Sequence, residues 1–175
     1  MRVGLIDADG GKFPNLALMK LSAHHKAIGD HVEWVNYWQD YDKVYISKVF
    51  SYTPEPDTVI RCDNIVAGGT GYSLDNTLPD EIERCFPDYS IYPCVSYAIG
   101  FLTRGCSRNC PFCIVNKKEG SCHRVASLSD FWSGQREIKL LDPNLLECRD
   151  NLLLLHDLAE TQPIVTGKQI GRAHV

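Results

Sequence analysis

The sequence predicts an α/β fold in two parts, a parallel sheet over residues 1–90 and a further alternation of strands and helices over 91–168. Three observations carry this expectation. Short apolar runs of strand length recur through the first half, with one helix-length segment among them. A polar stretch at 78–93, with prolines at 79, 87 and 93, reads as a linker between the halves. Beyond it an apolar run leads straight into RGCSRNCPFC at 104–113, and a second strand-like run follows at 137–141. The pacing of the first half, strand, helix and then three strands, is that of a small Rossmann-like sheet.

Residues 2–7, RVGLID, read as a buried strand that stops at the turn-rich Asp7-Ala8-Asp9-Gly10-Gly11. A helix is expected over 13–28, with Phe13, Leu16, Ala17, Leu21, Ala27 and Ile28 on its apolar face, Lys20 and His24 as polar intruders, and Gly29 as its stop. Adjacent helical positions cannot face one ligand together, so His24 and His25 read as surface or boundary residues. Strands are expected over 31–37, 43–50 and 64–69. Asp9-Gly10-Gly11 is not a GxGxxG fingerprint, and GGTG at 68–71 opens onto no phosphate-binding helix, so no dinucleotide site is expected. In the second half, YAIGFLT at 97–103 reads as a strand, and 127–136 as a short helix capped by Ser127 or Ser129 with Phe131 and Trp132 as apolar surface. EIKLL at 137–141 reads as the second strand of this half. A helix over 145–160 follows, with Leu152, Leu153, Leu155 and Leu158 as buried candidates.

With 175 residues and 44% hydrophobic content, the chain can build one large core or two small ones. A net charge of −4 gives no general electrostatic drive toward nucleic acid or anionic membrane. Lys117, Lys118, His123 and Arg124 are the local basic residues, read first as solvated charge. Eight cysteines are too sparse for a disulfide scaffold, and no signal segment or membrane-length apolar run is present. A cytoplasmic protein without a membrane partner is expected. Cys62, Cys85 and Cys94 lack metal-like spacing. Residues 169–175, QIGRAHV, resemble a translated sequencing adaptor and are expected to be a non-native tail, which would make the chain a truncated fragment.

The chemistry concentrates at Cys106, Cys110 and Cys113, a CxxxCxxC triplet after an apolar run. Three soft thiolates within eight residues point to a metal. Structural zinc wants a second knuckle or paired histidines, and neither accompanies the triplet. Bacterial ferredoxins use CxxCxxCxxxC with a following proline, which differs in order and count. Cys110-Pro111-Phe112-Cys113 alone would suit a redox pair, but Cys106 argues against that. Gly105 gives the backbone room to turn, Pro111 restricts the loop, and Ser107 and Asn109 can donate hydrogen bonds to sulfur or simply be solvated.

The spacing, with Phe112 just before the last cysteine, resembles the cluster loop of the radical S-adenosylmethionine superfamily. Ile114-Val115 followed by Lys117-Lys118 and Gly120 is similar to methylthiotransferase-like members. The resemblance implies that Cys106, Cys110 and Cys113 hold a 4Fe-4S cluster, with the amino and carboxylate groups of S-adenosylmethionine on the open iron. It implies that Phe112 packs beside the cluster. It also implies that Asp142 and Asn144, standing where the superfamily carries a Gly-Gly-Glu-like stretch, receive the ammonium of the methionine moiety. The fold implied for 91–168 is the start of a partial (β/α) barrel, and the activity implied is that of a radical enzyme. An external reductant such as flavodoxin or ferredoxin would supply one electron, S-adenosylmethionine would split to methionine and a 5′-deoxyadenosyl radical, and that radical would take hydrogen from an unidentified substrate. No catalytic side chain is implied. The first half resembles in architecture the cobalamin-binding domain of many such enzymes, but the DxHxxG ligand loop is absent, since Asp7 is followed by Ala-Asp-Gly-Gly-Lys-Phe. Cobalamin would have to be held without that histidine. The alternative is a non-catalytic iron–sulfur or zinc module closed by Cys122 as fourth ligand.

Overall fold

The computed structural model describes residues 1–10, 13–56, 59–161 and 164–167. The fold is mixed α/β, and the chain divides into two units, Met1–Val95 and Ser96–Val175.

The first unit is framed by a four-stranded parallel sheet. In chain order its elements are β1 (Arg2–Asp7), α1 (Leu16–Ala27), β2 (His31–Trp34), β3 (Lys43–Ser47), β4 (Ile65–Gly68) and α2 (Asp80–Glu83), and the strand order is β2-β1-β3-β4. Two strands stop earlier than their apolar runs because side chains take over the backbone. After Trp34 the Asn36 N–H turns to the Tyr41 hydroxyl at 2.8 Å, and after Ser47 the Val49 N–H turns to Asp9 Oδ2 at 2.6 Å. Ile6, Tyr41, Val44 and Ile46 form a core cluster on one face. Alternate residues of the same strands, Val3, Leu5 and Tyr45, are buried on the other.

Helix α1 begins later than the expected residue 13, because Asn15 caps it. The Asn15 Oδ1 accepts the Leu18 N–H at 3.3 Å, while its Nδ2 donates to Ser47 Oγ at 2.8 Å. Gly29, at φ +88°, stops the helix as expected. The buried face, however, is Leu18, Met19, Leu21, Ser22 and His25, so of the expected apolar set only Leu21 is buried. Apolar side chains are spread around the circumference of this helix, so periodicity alone does not choose a face. His25 is thereby corrected from a boundary residue to a core one. It is 5% exposed, with Nδ1 2.7 Å from Asp30 Oδ2 and Nε2 3.0 Å from the Tyr45 hydroxyl.

The stretch at 78–93 is a packed part of the first unit, not a spacer. Ser22 Oγ and Lys26 Nζ each donate to Asp88 Oδ2 at 2.6 Å. The Tyr92 hydroxyl donates to Asp7 Oδ2 at 2.9 Å, and Trp34 Nε1 donates to the Ile91 carbonyl at 3.0 Å. Burial alone would raise the Asp88 carboxyl, but hydrogen bonds from Lys26, Ser22 and Ser90 hold it down at about 2.

The second unit contains β5 (Ala98–Gly100), β6 (Thr103–Arg104), α3 (Val115–Glu119), β7 (His123–Arg124), β8 (Glu137–Leu140), α4 (Asn151–Thr161) and β9 (Ile164–Gly167). β5, β8 and β9 form a parallel sheet with β8 central, and β6 and β7 form an antiparallel ladder. The single strand expected at 97–103 is split, because the Leu102 and Thr103 N–H groups go to the Asp142 carboxylate instead of continuing the ladder. Glycine at 100 admits the Phe131 ring against the strand, since a Cβ there would lie 2.4 Å from it. The expected helix at 127–136 is only a 3-10 turn, Leu128–Asp130, closed by reciprocal Ser127 and Asp130 capping bonds. The expected helix at 145–160 divides into a 3-10 turn, Leu145–Glu147, and α4, with Cys148 extended between them. On α4, Leu154 and Leu158 are buried whereas Leu152, Leu153 and Leu155 are exposed. The expected non-native tail at 169–175 lies outside the described residues. Among the described residues no helix is long and apolar enough to cross a membrane.

Candidate metal centre

Because β5 and β8 run parallel, the segments that leave their C-terminal ends emerge at the same edge of the sheet. The cysteine loop follows β5 by way of β6, and Asp142, Asn144 and Glu147 follow β8. The loop is tied at its base. Thr103 pairs with Arg124 and Arg104 with His123, while the Cys106 N–H donates to the Gly120 carbonyl at 2.8 Å. Glu119, on the helix α3 that periodicity did not foresee, accepts the Gly105 N–H at 3.2 Å and pairs with Arg104 at 3.1 Å. Asn116 of the same helix donates to the Cys106 carbonyl at 3.0 Å. Gly105 sits at φ +83°, and a Cβ there would come within 2.2 Å of the Ser121 carbonyl oxygen. No other residue type fits that crossing.

Cys106, Cys110 and Cys113 are half-buried free thiols. Asn109, at φ 47°, turns the chain into Cys110, and the Cys113 N–H donates back to the Cys110 carbonyl at 3.0 Å. Phe112 projects outward, 60% exposed. Among the described residues, no three His, Cys, Asp or Glu side chains are gathered closely enough to hold a metal ion. The donor set nevertheless suits a thiophilic centre. Three thiols outside any disulfide share one loop whose two ends are fixed, and thiolates are the donors such a centre takes.

The residues after β8 divide in role. Asp142 is 3% exposed, and its oxygens accept the Leu102 N–H at 3.1 Å, the Thr103 N–H at 2.5 Å and the Thr103 hydroxyl at 2.6 Å. Burial raises its carboxyl above the usual range even against those bonds. Both oxygens of the expected ammonium acceptor are thus already engaged within the chain. Asn144 does reach the cysteines, its Nδ2 lying 3.5 Å from Cys106 Sγ and donating to Glu147 Oε2 at 2.7 Å. Glu147 also accepts the Ser107 N–H, at 3.0 and 3.2 Å to its two oxygens. Hydrogen bonds from Ser107, with others from Cys106 and Asn144, hold the Glu147 carboxyl below its usual range.

Cys122 stands at the exit of the loop. Its thiol donates to the Asn144 carbonyl at 3.4 Å, and burial, with Cys148 beside it, pushes it up to about 11. Ser107 directs its backbone N–H to Glu147, and Arg124 donates to the Ala126 carbonyl and Ser127 Oγ. Sequence reasoning did not single out Glu147 or Asn116. The available signal for Glu147 was its spacing, three residues after Asn144 and so one turn on. No family model, curated protein or solved structure matches this chain.

Proposed function

We propose that the chain belongs to a radical S-adenosylmethionine enzyme, in which Cys106, Cys110 and Cys113 hold a 4Fe-4S cluster and S-adenosylmethionine occupies the open iron. When bound, the cluster supplies the electron that splits the sulfonium and starts radical chemistry on a substrate. The observation that carries this reading is the CxxxCxxC loop of free thiols, anchored at the edge where two parallel strands end. β5, β8 and β9 are read as the first strands of a partial barrel, whose ligands gather at that edge.

The chain's own residues divide the work. Gly105, Arg104 and Glu119 fix the loop's entry and exit. Asp142 locks the backbone of Leu102 and Thr103 and so sets where the loop leaves the sheet. The exposed ring of Phe112 is available to pack against a bound ligand. Asn144, adjacent to Cys106, is the remaining candidate for polar contact with the methionine moiety. The site lies in a cytoplasmic protein served by an external flavodoxin or ferredoxin. Cobalamin would be a separate ligand of the first unit, held without the DxHxxG histidine, which the residues after Asp7, Ala-Asp-Gly-Gly-Lys-Phe, do not supply.

The test is anaerobic reconstitution of the full chain with iron and sulfide, followed by electron paramagnetic resonance with and without S-adenosylmethionine. About four irons per chain, lost in Cys106→Ser, Cys110→Ser and Cys113→Ser but kept in Cys122→Ser, with a signal that S-adenosylmethionine alters, is the expected result. Loss of iron in Cys122→Ser, with no response to S-adenosylmethionine, would establish the closed, non-catalytic module instead.

A further inference from the structure

Asn144 directs its side-chain donor at a thiol of the cysteine triplet. Its Nδ2 lies 3.5 Å from Cys106 Sγ. A carboxamide can rotate away from so weak an acceptor unless something holds it, and here Glu147 does, accepting the same nitrogen at 2.7 Å. Glu147 is held in turn by the Ser107 backbone N–H, at 3.0 and 3.2 Å, on the residue next to Cys106. The cysteine, the amide and the carboxylate thus form a closed ring of contacts across the two segments that follow β5 and β8. Asn116 supports the same cysteine differently, donating to its carbonyl oxygen at 3.0 Å without touching sulfur.

We infer that Asn144, oriented by Glu147, is a positioning residue that donates a hydrogen bond to the Cys106 sulfur and thereby sets the reduction potential of the metal centre formed by the triplet. This rests on the cluster reading above and gives Asn144 a role in the protein frame, separate from any contact with S-adenosylmethionine. The physical basis is electrostatic. A cluster gains one negative charge on one-electron reduction, and part of that charge resides on its thiolate sulfurs. A fixed N–H dipole aimed at sulfur stabilises the reduced state more than the oxidised one, and ligand-adjacent donors of this kind tune metal sites generally. Deleting the donor moves the potential to more negative values and makes the centre harder to reduce.

The experiment is a dithionite titration of the reconstituted full chain, without S-adenosylmethionine, monitored by visible absorption and electron paramagnetic resonance. Wild type is compared with Asn144→Ala, Asn144→Leu and Asn116→Ala. Leucine keeps most of the bulk of asparagine without its N–H, and circular dichroism checks that each variant is folded. The expected result is unchanged iron content with a lower midpoint in both Asn144 variants, by roughly a tenfold change in the one-electron equilibrium, about 59 mV. Asn116→Ala should leave the midpoint where it is. Equal midpoints in wild type and the folded Asn144 variants, or an equal shift in Asn116→Ala, overturn the inference while the cluster reading stands. A wild-type chain that takes up no iron and sulfide overturns both.

Discussion

Gly105 occupies a left-handed conformation with a carbonyl oxygen where a side chain would begin, two independent reasons for glycine at one position. Gly105→Ala is therefore expected to destabilise the second unit by about 2 kcal/mol or more and to lower iron uptake with it. Urea unfolding and iron analysis of the variant measure both effects. Asp88 provides the clearest pH dependence. Its folded-state carboxyl sits at about 2 against an ordinary 3.8, so its contribution is present above the ordinary value and is lost as pH falls toward 2. With allowance for partial solvent screening through the exposed end of Lys26, that loss is about 1–2 kcal/mol. Comparing unfolding of wild type and Asp88→Asn at pH 5 and at pH 2.5 isolates it, and the variant should show a correspondingly smaller fall. Neither residue advertised its role. Gly105 was legible as a turn, but the Ser121 carbonyl it must pass is sixteen residues along the chain, and Asp88 looked like linker polarity until Ser22 and Lys26 were brought to it.

Elements were legible where one local signal dominated. β1 has the bounds its apolar run dictates, and Gly29 ends α1 as its conformation requires. The start of α1 was less legible because Asn15 is both cap and core residue, its amide reaching across to Ser47. Asn15→Ala removes an N-cap worth about 1 kcal/mol and a buried side-chain hydrogen bond of similar size. A loss of about 2 kcal/mol is expected from thermal or urea unfolding, and Asn15→Ser, which retains the cap alone, should recover about half of it. The two helices expected after the cysteines shrank for a related reason. Ser127 and Asp130 satisfy each other within one turn, and Cys148 is extended between a 3-10 turn and α4, so local side-chain and backbone bonds competed with helix continuation.

For the whole molecule, the expected parallel sheet of the first unit is present, in the order β2-β1-β3-β4. In the second unit the cysteine loop is fixed at its base while its three thiols remain apart. A ligand that gathers those thiols binds the folded chain and not the unfolded one, and stabilises it by mass action. Hydrogen exchange at residues 103–124 is therefore expected to slow when iron and sulfide are reconstituted and to return to its initial rate after chelation. Unchanged exchange in a fully loaded sample would show that the loop is already set before it binds.

What the sequence determined by itself was covalent and local: the spacing of Cys106, Cys110 and Cys113, the apolar runs that become strands, and the glycines that stop or turn the chain. These depend on side-chain chemistry and backbone conformation within a few residues. The tertiary structure decided which face of α1 is buried, that Asp142 serves Leu102 and Thr103, and that Asn144 and Glu147 meet Cys106 and its neighbour Ser107. Such contacts join residues about forty apart in sequence. Only the parallel pairing of β5 and β8, which brings the two segments to one edge, makes them neighbours.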